Sequence, residues 1–275
     1  MKLREALDLG TKELSRFSNN PEFESFVFLE ESTGKKREEI LTNEEELDEK
    51  AFLKFENYLR RRKEGEPWQY IIGSTNFLGF KIFIEEGVFI PRPETEFLTF
   101  LAIHKLKNLK APFILEIGTG SGAISLSIAG SLKEANIIAT DISRKAIKIC
   151  KKNFDFHNLR SYVSIVIADL LSCFSKEEKF DLIISNPPYI PIENLSSLDE
   201  VVKKEPMLAL NGGENGVYFI NKILEEGSLR LRKGGYILIE IDEVNLPYIK
   251  IPERIYASIL PDQFGRNRIL FGIRK

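Results

Sequence analysis

From Pro112 onward the chain repeats one unit: a short β-rich apolar run, a turn, and a helical segment. That alternation constrains the fold more than any other feature, because parallel strands need long crossovers and helices are the usual ones. A doubly wound α/β sheet is expected. Phe113-Ile114-Leu115-Glu116-Ile117 reads as its first buried strand, Gly118-Thr119-Gly120-Ser121-Gly122 as a loop, and residues 123–129 as the start of a helix. Further strands are expected at 137–140, 163–168 and 180–185, the last carrying the β-branched pair Ile183-Ile184 before a turn signal. Ligands of open sheets bind beyond the carboxyl ends of the strands.

Three acids stand at those ends. Glu116 precedes the glycine loop, Asp141 follows the second strand, and Asp169, with Leu170 beside it, ends the third. Asp141 is placed to accept from both ribose hydroxyls of an adenosine, and Asp169 to meet the adenine amino group. Gly118, Gly120 and Ala123 satisfy the relaxed Gly-x-Gly-x-x-Ala fingerprint, which dinucleotide enzymes share. Glu116 and the third glycine, Gly122, tilt the reading toward S-adenosyl-L-methionine. An acid after a strand is often only a helix cap; three at successive strand ends favour a cofactor site.

Asn186-Pro187-Pro188-Tyr189 follows the fourth strand. An NH2 group on a carbonyl or aromatic ring is a poor nucleophile because its lone pair is delocalised. The Asn186 oxygen and a neighbouring carbonyl, that of Pro187, can each take one N–H and leave the third direction for an incoming methyl group. The prolines add no competing donors and stiffen the loop. Tyr189 offers a face for a flat substrate. The plain alternative is a Pro-rich turn capped by Asn.

Composition excludes several classes. The net charge of −2 gives no global preference for nucleic acid or an anionic membrane, although a local basic patch escapes that count. Cys150 and Cys173 have no metal-ligand spacing and suggest no disulfide framework; they read as buried, inert thiols. No metal site is expected, and His104 and His157 read as solvated helix positions. No apolar signal core follows Met1, and no run reaches membrane-spanning length. A cytoplasmic protein is the expectation.

The first 66 residues read as a helical domain, with the clearest helix after Asn43: Leu47, Ala51, Phe52, Phe55, Tyr58 and Leu59 on one face, Glu44, Glu45 and Glu46 at its start, Arg60 to Lys63 at its end. The basic run reads as a solvated complement to the helix dipole; a phosphate contact is the other reading. Residues 67–91 read as a linker built on a hairpin, with Phe77, Phe80, Ile82, Phe83 and Ile84 between glycines. Residues 92–275 form the expected catalytic domain.

Glu116-x-Gly118-x-Gly120-x-Gly122 together with Asn186-Pro187-Pro188-Tyr189 resembles class I methyltransferases of amino groups. Arg61-Arg62-x-x-Gly65-Glu66-Pro67, Tyr70-x-x-Gly73, Phe77-x-Gly79, Ile90-Pro91-Arg92-Pro93-Glu94-Thr95-Glu96, Glu205-Pro206-x-x-Ala209-Leu210 and Gly265-Arg266-x-Arg268 narrow this. They are similar to the HemK-type protein-(glutamine-N5) methyltransferases, which modify the Gln of the Gly-Gly-Gln loop in peptide-chain release factors. The resemblance covers nearly the whole chain. It implies a seven-stranded Rossmann-like sheet whose last strand is antiparallel, an N-terminal helical domain recognising the release factor, a linking β-hairpin, and S-adenosyl-L-methionine as methyl donor. Nucleic acid is then an unlikely partner, and a DNA adenine or ribosomal-RNA guanine methyltransferase is the competing reading. Lys204, Asn215 and Asp242 depart from the family pattern, which usually has an aromatic, an Asp and a Gly there.

Overall fold

The computed structural model describes residues 1–42 and 45–275. Contacts divide the chain into two compact units, Met1–Ser74 with Asp199–Lys204, and Thr75–Leu198 with Glu205–Lys275.

The first unit carries α1 (Leu3–Leu14), α2 (Pro21–Thr33), α3 (Arg37–Thr42), α4 (Glu49–Lys63) and α5 (Trp68–Ile72). Leu3, Leu7 and Leu14 share one face of α1 and meet Phe26, Phe28 and Leu29 of α2 and Phe55 and Leu59 of α4 in a single core. The α4 helix starts later than its periodicity suggests. Asp48 is its N-cap, accepting from the Ala51 amide at 2.8 Å, so Glu45, Glu46 and Leu47 precede the helix. Asn43 and Glu44 lie outside the described residues. Its basic end is ion-paired more than solvated: Arg60 bonds Glu64 at 2.8 Å, Arg61 bonds Glu66 at 2.8 Å, and Lys63 bonds Glu13 at 2.6 Å. Arg62 is buried, its Nε 2.6 Å from Glu24 Oε2. Four cations at the negative end of a helix dipole thus each have a carboxylate as well.

The stretch 67–91 begins with α5, which clusters with the helical unit, and continues into β1 (Ser74–Phe77) and β2 (Phe80–Phe83). Leu78 and Gly79 join these strands with φ of +47° and +82°, the two positive values a type I′ hairpin turn needs. The Leu78 amide donates to Glu96 Oε1 at 2.8 Å, which helps hold a bulky residue in that conformation.

The second unit continues with α6 (Pro93–Leu106), β3 (Phe113–Ile117), α7 (Ala123–Ser131), β4 (Asn136–Asp141), α8 (Arg144–Phe156), β5 (Val163–Ile167), β6 (Phe180–Ser185), α9 (Met207–Leu210), α10 (Tyr218–Arg230), β7 (Leu231–Glu240), β8 (Ile255–Pro261) and β9 (Asn267–Arg274). Seven strands form one sheet in the order β5-β4-β3-β6-β7-β9-β8. β3 through β7 run parallel, and β9 pairs antiparallel with both β7 and β8. This is the α/β, Rossmann-like class I methyltransferase sheet that the sequence suggested. Its inward residues Leu115, Ile117, Ile183, Ile237 and Ile239 pack with Ile220, Ile223 and Leu224 of α10. The chain leaves β3 toward β4 and β5, then returns to β6 on the other side. That reversal opens a crevice at the carboxyl ends of β3 and β6.

Two further sequence readings need correction. Cys150 is buried, but Cys173 is exposed, because it lies in the polar turn between β5 and β6. His157 is not a solvated helix position: it ends α8 with Nε2 2.8 Å from the Lys81 carbonyl and its ring edge-on to Phe80, so it fastens the hairpin to α8.

Candidate active site

The sheet register brings the predicted site residues to one level. Ile117 pairs with Thr140 on one side and Ser185 on the other, so Gly118, Asp141 and Asn186 leave neighbouring strands together. Asp141 in turn pairs with Ile167, placing Asp169 and Leu170 at the end of the next strand.

The three glycines of the loop do two jobs. Gly118 and Gly120 have φ of +72° and +55°, and a Cβ on either meets nothing within 4 Å, leaving open space against bare backbone. Gly122 faces inward. A Cβ there comes within 2.7 Å of Cys150 Sγ, so its absence lets α7 pack on α8. Asn153 of α8 fixes the loop from behind: Nδ2 donates to the Ser121 carbonyl at 2.8 Å and to the Phe83 carbonyl at 3.0 Å, while Oδ1 accepts from the Phe83 amide at 2.7 Å. Ser121 is buried and contributes its backbone to this anchor. No motif in the sequence pointed to Asn153; a fully buried Asn reveals itself only through its contacts.

Glu116 is buried under the loop. Its Oε2 accepts from the Thr119 hydroxyl at 2.7 Å, the Ser125 amide at 3.1 Å and the Ser125 hydroxyl, whereas its Oε1 is buried with no partner among the described residues. Burial raises its carboxyl to about 7, against those donors. Asp141 accepts from the Gly120 amide through Oδ2 and from the Ser143 amide through Oδ1, each at 2.8 Å. It therefore shapes the loop, and each oxygen retains a lone pair for a further donor. Burial raises its carboxyl as well. Ile142, the next residue, is an exposed apolar side chain beside the acids. Asp169 is exposed, and Leu170 holds a left-handed backbone, φ +48°, while packing on the core. Strain of that kind collects at binding sites.

Beyond β6 the Asn-Pro-Pro-Tyr loop meets Thr95 and Arg268, which the sequence presented only within a family signature, and Glu240 and Asn245, which no motif marked. Asn186 Nδ2 donates to Thr95 Oγ1 at 3.0 Å, and Thr95 donates to Glu240 Oε2 at 2.7 Å. The Tyr189 hydroxyl reaches Glu240 Oε1 at 3.3 Å. Burial raises Glu240 to about 7; burial and then the charge of Glu240 push the Tyr189 phenol well above its ordinary value. Arg268 lies 6.0 Å from the Tyr189 ring centre and pairs with Asp242 at 2.6 Å. The same Asp242 caps the short turn that positions Asn245, whose Nδ2 donates to the carbonyls of Tyr189 and Asn215, both at 3.0 Å. Asn215 is left-handed, φ +54°, a conformation Asn tolerates better than most side chains. Upstream, Glu205 accepts from the Ile90 amide at 3.0 Å and pairs with Arg92, tying Ile90-Pro91-Arg92 to Glu205-Pro206.

This geometry suits a nucleoside-bearing cofactor at β3 to β5 and a planar amide at β6. Comparison with known proteins gives the family. The model of the PrmC N-terminal domain matches residues 5–73 and that of the methyltransferase small domain residues 80–214. The release factor glutamine methyltransferase of Deinococcus radiodurans is 32% identical over 98% of both chains. The chain belongs to the release factor glutamine methyltransferase family. Its relative of the same name in Moorella thermoacetica is 33% identical over 100% of this chain and 99% of its own, and that of Clostridium acetobutylicum 36% over 89% and 88%. Among solved structures, the hMettl16 catalytic domain in complex with MAT2A 3'UTR hairpin 1 superposes with a TM-score of 0.55 at 18% identity, covering 71% of this chain and 75% of that one. That likeness concerns the fold. Membership makes the protein a methyltransferase of the class I fold, and among the described residues no helix is long and apolar enough to cross a membrane.

The residues present fit S-adenosylmethionine. Glu116 has a buried carboxylate oxygen without a donor among the described residues, Gly118 and Gly120 have open space where a Cβ would stand, and Asp141 has lone pairs to spare, all at the carboxyl ends of the adjacent strands β3 and β4.

Proposed function

We infer that this protein methylates the side-chain amide nitrogen of the Gln in the Gly-Gly-Gln loop of peptide-chain release factors. The observation that carries the reading is Asn186: its amide nitrogen is engaged by Thr95, which turns its oxygen into the acceptor available to a substrate NH2. Glu116, the backbone of Gly118 to Gly122, Asp141, Asp169 and Leu170 would hold the cofactor, with Asp141 on the ribose and Asp169 on the adenine amino group. S-adenosylmethionine supplies an electrophilic methyl group when bound. Asn186 Oδ1 and the Pro187 carbonyl hold the two N–H bonds of the substrate amide, so that its lone pair points along the remaining direction. The nitrogen sheds one proton after methylation, and water at the rim accepts it; no strong base is required. Tyr189 supports the amide plane.

The helical unit is assigned to the body of the release factor. It holds a cleft of about 570 Å³ lined by Arg16, Phe17, Phe23, Trp68, Asp199 and Glu200, which offers aromatic faces and both charges to a protein surface. Asp199 and Glu200 belong to the chain segment that follows the Asn-Pro-Pro-Tyr loop.

The test is mass spectrometry of a folded release factor after incubation with methyl-labelled S-adenosylmethionine. One methyl group on the Gln nitrogen is expected, none on a Gln→Glu factor, and far slower transfer to a Gly-Gly-Gln peptide, which lacks the remote binding energy. Efficient methylation of RNA or DNA with the release factor untouched overturns the reading.

A further inference from the structure

The two ends of the Asn186 amide are nearly the same size but opposite in hydrogen-bonding sense. Packing alone cannot tell them apart, so a half-turn of the side chain would present NH2 to the substrate and abolish the acceptor. Something must fix the flip. Thr95 Oγ1 lies 3.0 Å from Asn186 Nδ2 and 2.7 Å from Glu240 Oε2. A hydroxyl has one proton, and an ionised carboxylate only accepts. The Thr95 proton therefore goes to Glu240, and the lone pairs left on Oγ1 accept from the NH2 end of Asn186. Polarity passes along the row in one direction. Glu240 also takes the Tyr189 hydroxyl on its other oxygen at 3.3 Å, so one buried carboxylate addresses both ends of the tetrapeptide. The sheet sets this up: Ser185 pairs with Ile239, which puts Asn186 and Glu240 level on adjacent strands, and Thr95 enters from the first turn of α6.

We propose that Glu240 is a positioning residue that, through Thr95, locks the Asn186 amide with its oxygen toward the substrate. The proposal rests on the reading of Asn186 as the acceptor for the substrate amide.

The lock depends on the charge of Glu240. Burial and the nearby Glu94 of α6 raise its carboxyl to about 7, opposed by the hydroxyls of Thr95 and Tyr189 and by Arg268 of β9, itself paired with Asp242. A protonated Glu240 can donate to Thr95, and the Thr95 proton is then free to point at Asn186 Oδ1. Both flip states are satisfied in that form. Turnover at saturating substrates must accordingly rise as pH rises through about 7.

The experiment measures kcat between about pH 5.5 and 8.5 at saturating S-adenosylmethionine and release factor. Wild type, Glu240→Gln, Thr95→Val, Thr95→Ser and Asn186→Ala are compared. One hydrogen bond of bias is worth roughly a three- to tenfold change, so Glu240→Gln is expected to lose about that much kcat at pH 8. Its rise through neutral pH disappears, and the KM for either substrate stays within about twofold, since only the productive fraction has changed. Thr95→Val loses at least as much, whereas Thr95→Ser, which keeps the hydroxyl, retains the wild-type profile. Thr95→Val decides the matter if Glu240→Gln does not fold. A slow Asn186→Ala beside a Glu240→Gln with wild-type kcat and pH profile overturns the lock and leaves the role of Asn186 standing. Wild-type turnover in Asn186→Ala overturns both.

Discussion

Glu116→Gln isolates the electrostatic cost of the carboxylate beneath the glycine loop. Burial lifts that group from 4.5 to about 7. An unfolded chain releases the proton near the lower value and the native protein near the upper one, so between them the native state binds more protons. Stability then falls as pH rises across that window. At about 1.36 kcal/mol per unit the contribution amounts to about 3 kcal/mol, absent below the window and complete above it. Gln keeps an acceptor for Thr119 and Ser125 and cannot ionise, so the variant escapes this decline. Glu240 titrates in both proteins and cancels in the difference. For a unit of this size each kcal/mol moves Tm by about 2–4 °C, so the variant should melt about 6–12 °C above wild type at pH 8.5 and level with it near pH 4. The single tryptophan, Trp68, lies in the helical unit and reports the wrong part of the chain. Far-UV circular dichroism, or amide exchange along β3, follows the sheet instead. A gap constant with pH, or one that widens toward acid, refutes the assignment of a raised carboxyl.

Strands β3 to β6 and the loops at their ends were legible because apolar runs, glycines and prolines are local signals, whereas the seven-stranded sheet was implied by the family resemblance. β3 and β6 fall where periodicity put them, and the three acids stand at successive strand ends. What the sequence concealed were pairings across long separations. Glu240 reads as one acid among apolar strand residues, and Thr95 as a helix-starting Thr; only the sheet register brings both to Asn186. Arg62 reads as one charge in a basic run, yet its partner Glu24 is on another helix and the pair is buried. The late start of α4 has the same root: Glu45, Glu46 and Leu47 are good helix formers, but they bridge to the N-terminus instead, the Leu47 amide donating to the Met1 carbonyl at 2.9 Å and the Leu3 amide to the Glu45 carbonyl at 3.3 Å. Asp242 departs from the family glycine, and its use becomes visible only with Arg268 beside it.

Asp141→Ala removes an acceptor that also orders the Gly120 amide; S-adenosylhomocysteine should bind about 1.5–3 kcal/mol more weakly by calorimetry, with the fold intact. Gly216→Ala sets a Cβ 2.0 Å from the Tyr189 carbonyl and 2.5 Å from Asn245 Nδ2 at φ +71°, so kcat and Tm should both drop. Gly118→Ala meets nothing within 4 Å among the described residues but puts an L residue at φ +72°, so it should lose about 1–2 kcal/mol of stability while still folding, and lose cofactor affinity, as titration with S-adenosylhomocysteine will register. The sharpest case is Asn186. Its replacement by Ala deletes one preorganised acceptor and should cost about 10²–10³ in kcat while cofactor affinity holds. Asn186→Asp keeps an acceptor, and from sequence alone it promises more activity than Ala. The structure gives that expectation a pH dependence. An aspartate has no NH2 for Thr95, whose proton already belongs to Glu240, so a second carboxylate faces that hydroxyl across 3.0 Å. A part-buried carboxylate and the buried Glu240 about one proton raise each other's pKa. The Asp variant should therefore be most active in acid, where one of the pair is neutral, and should lose activity as pH rises, opposite to wild type. A kcat profile of Asn186→Asp that climbs with pH as the parent's does would mean that Thr95 and Glu240 are not in electrostatic contact with residue 186 in the working enzyme.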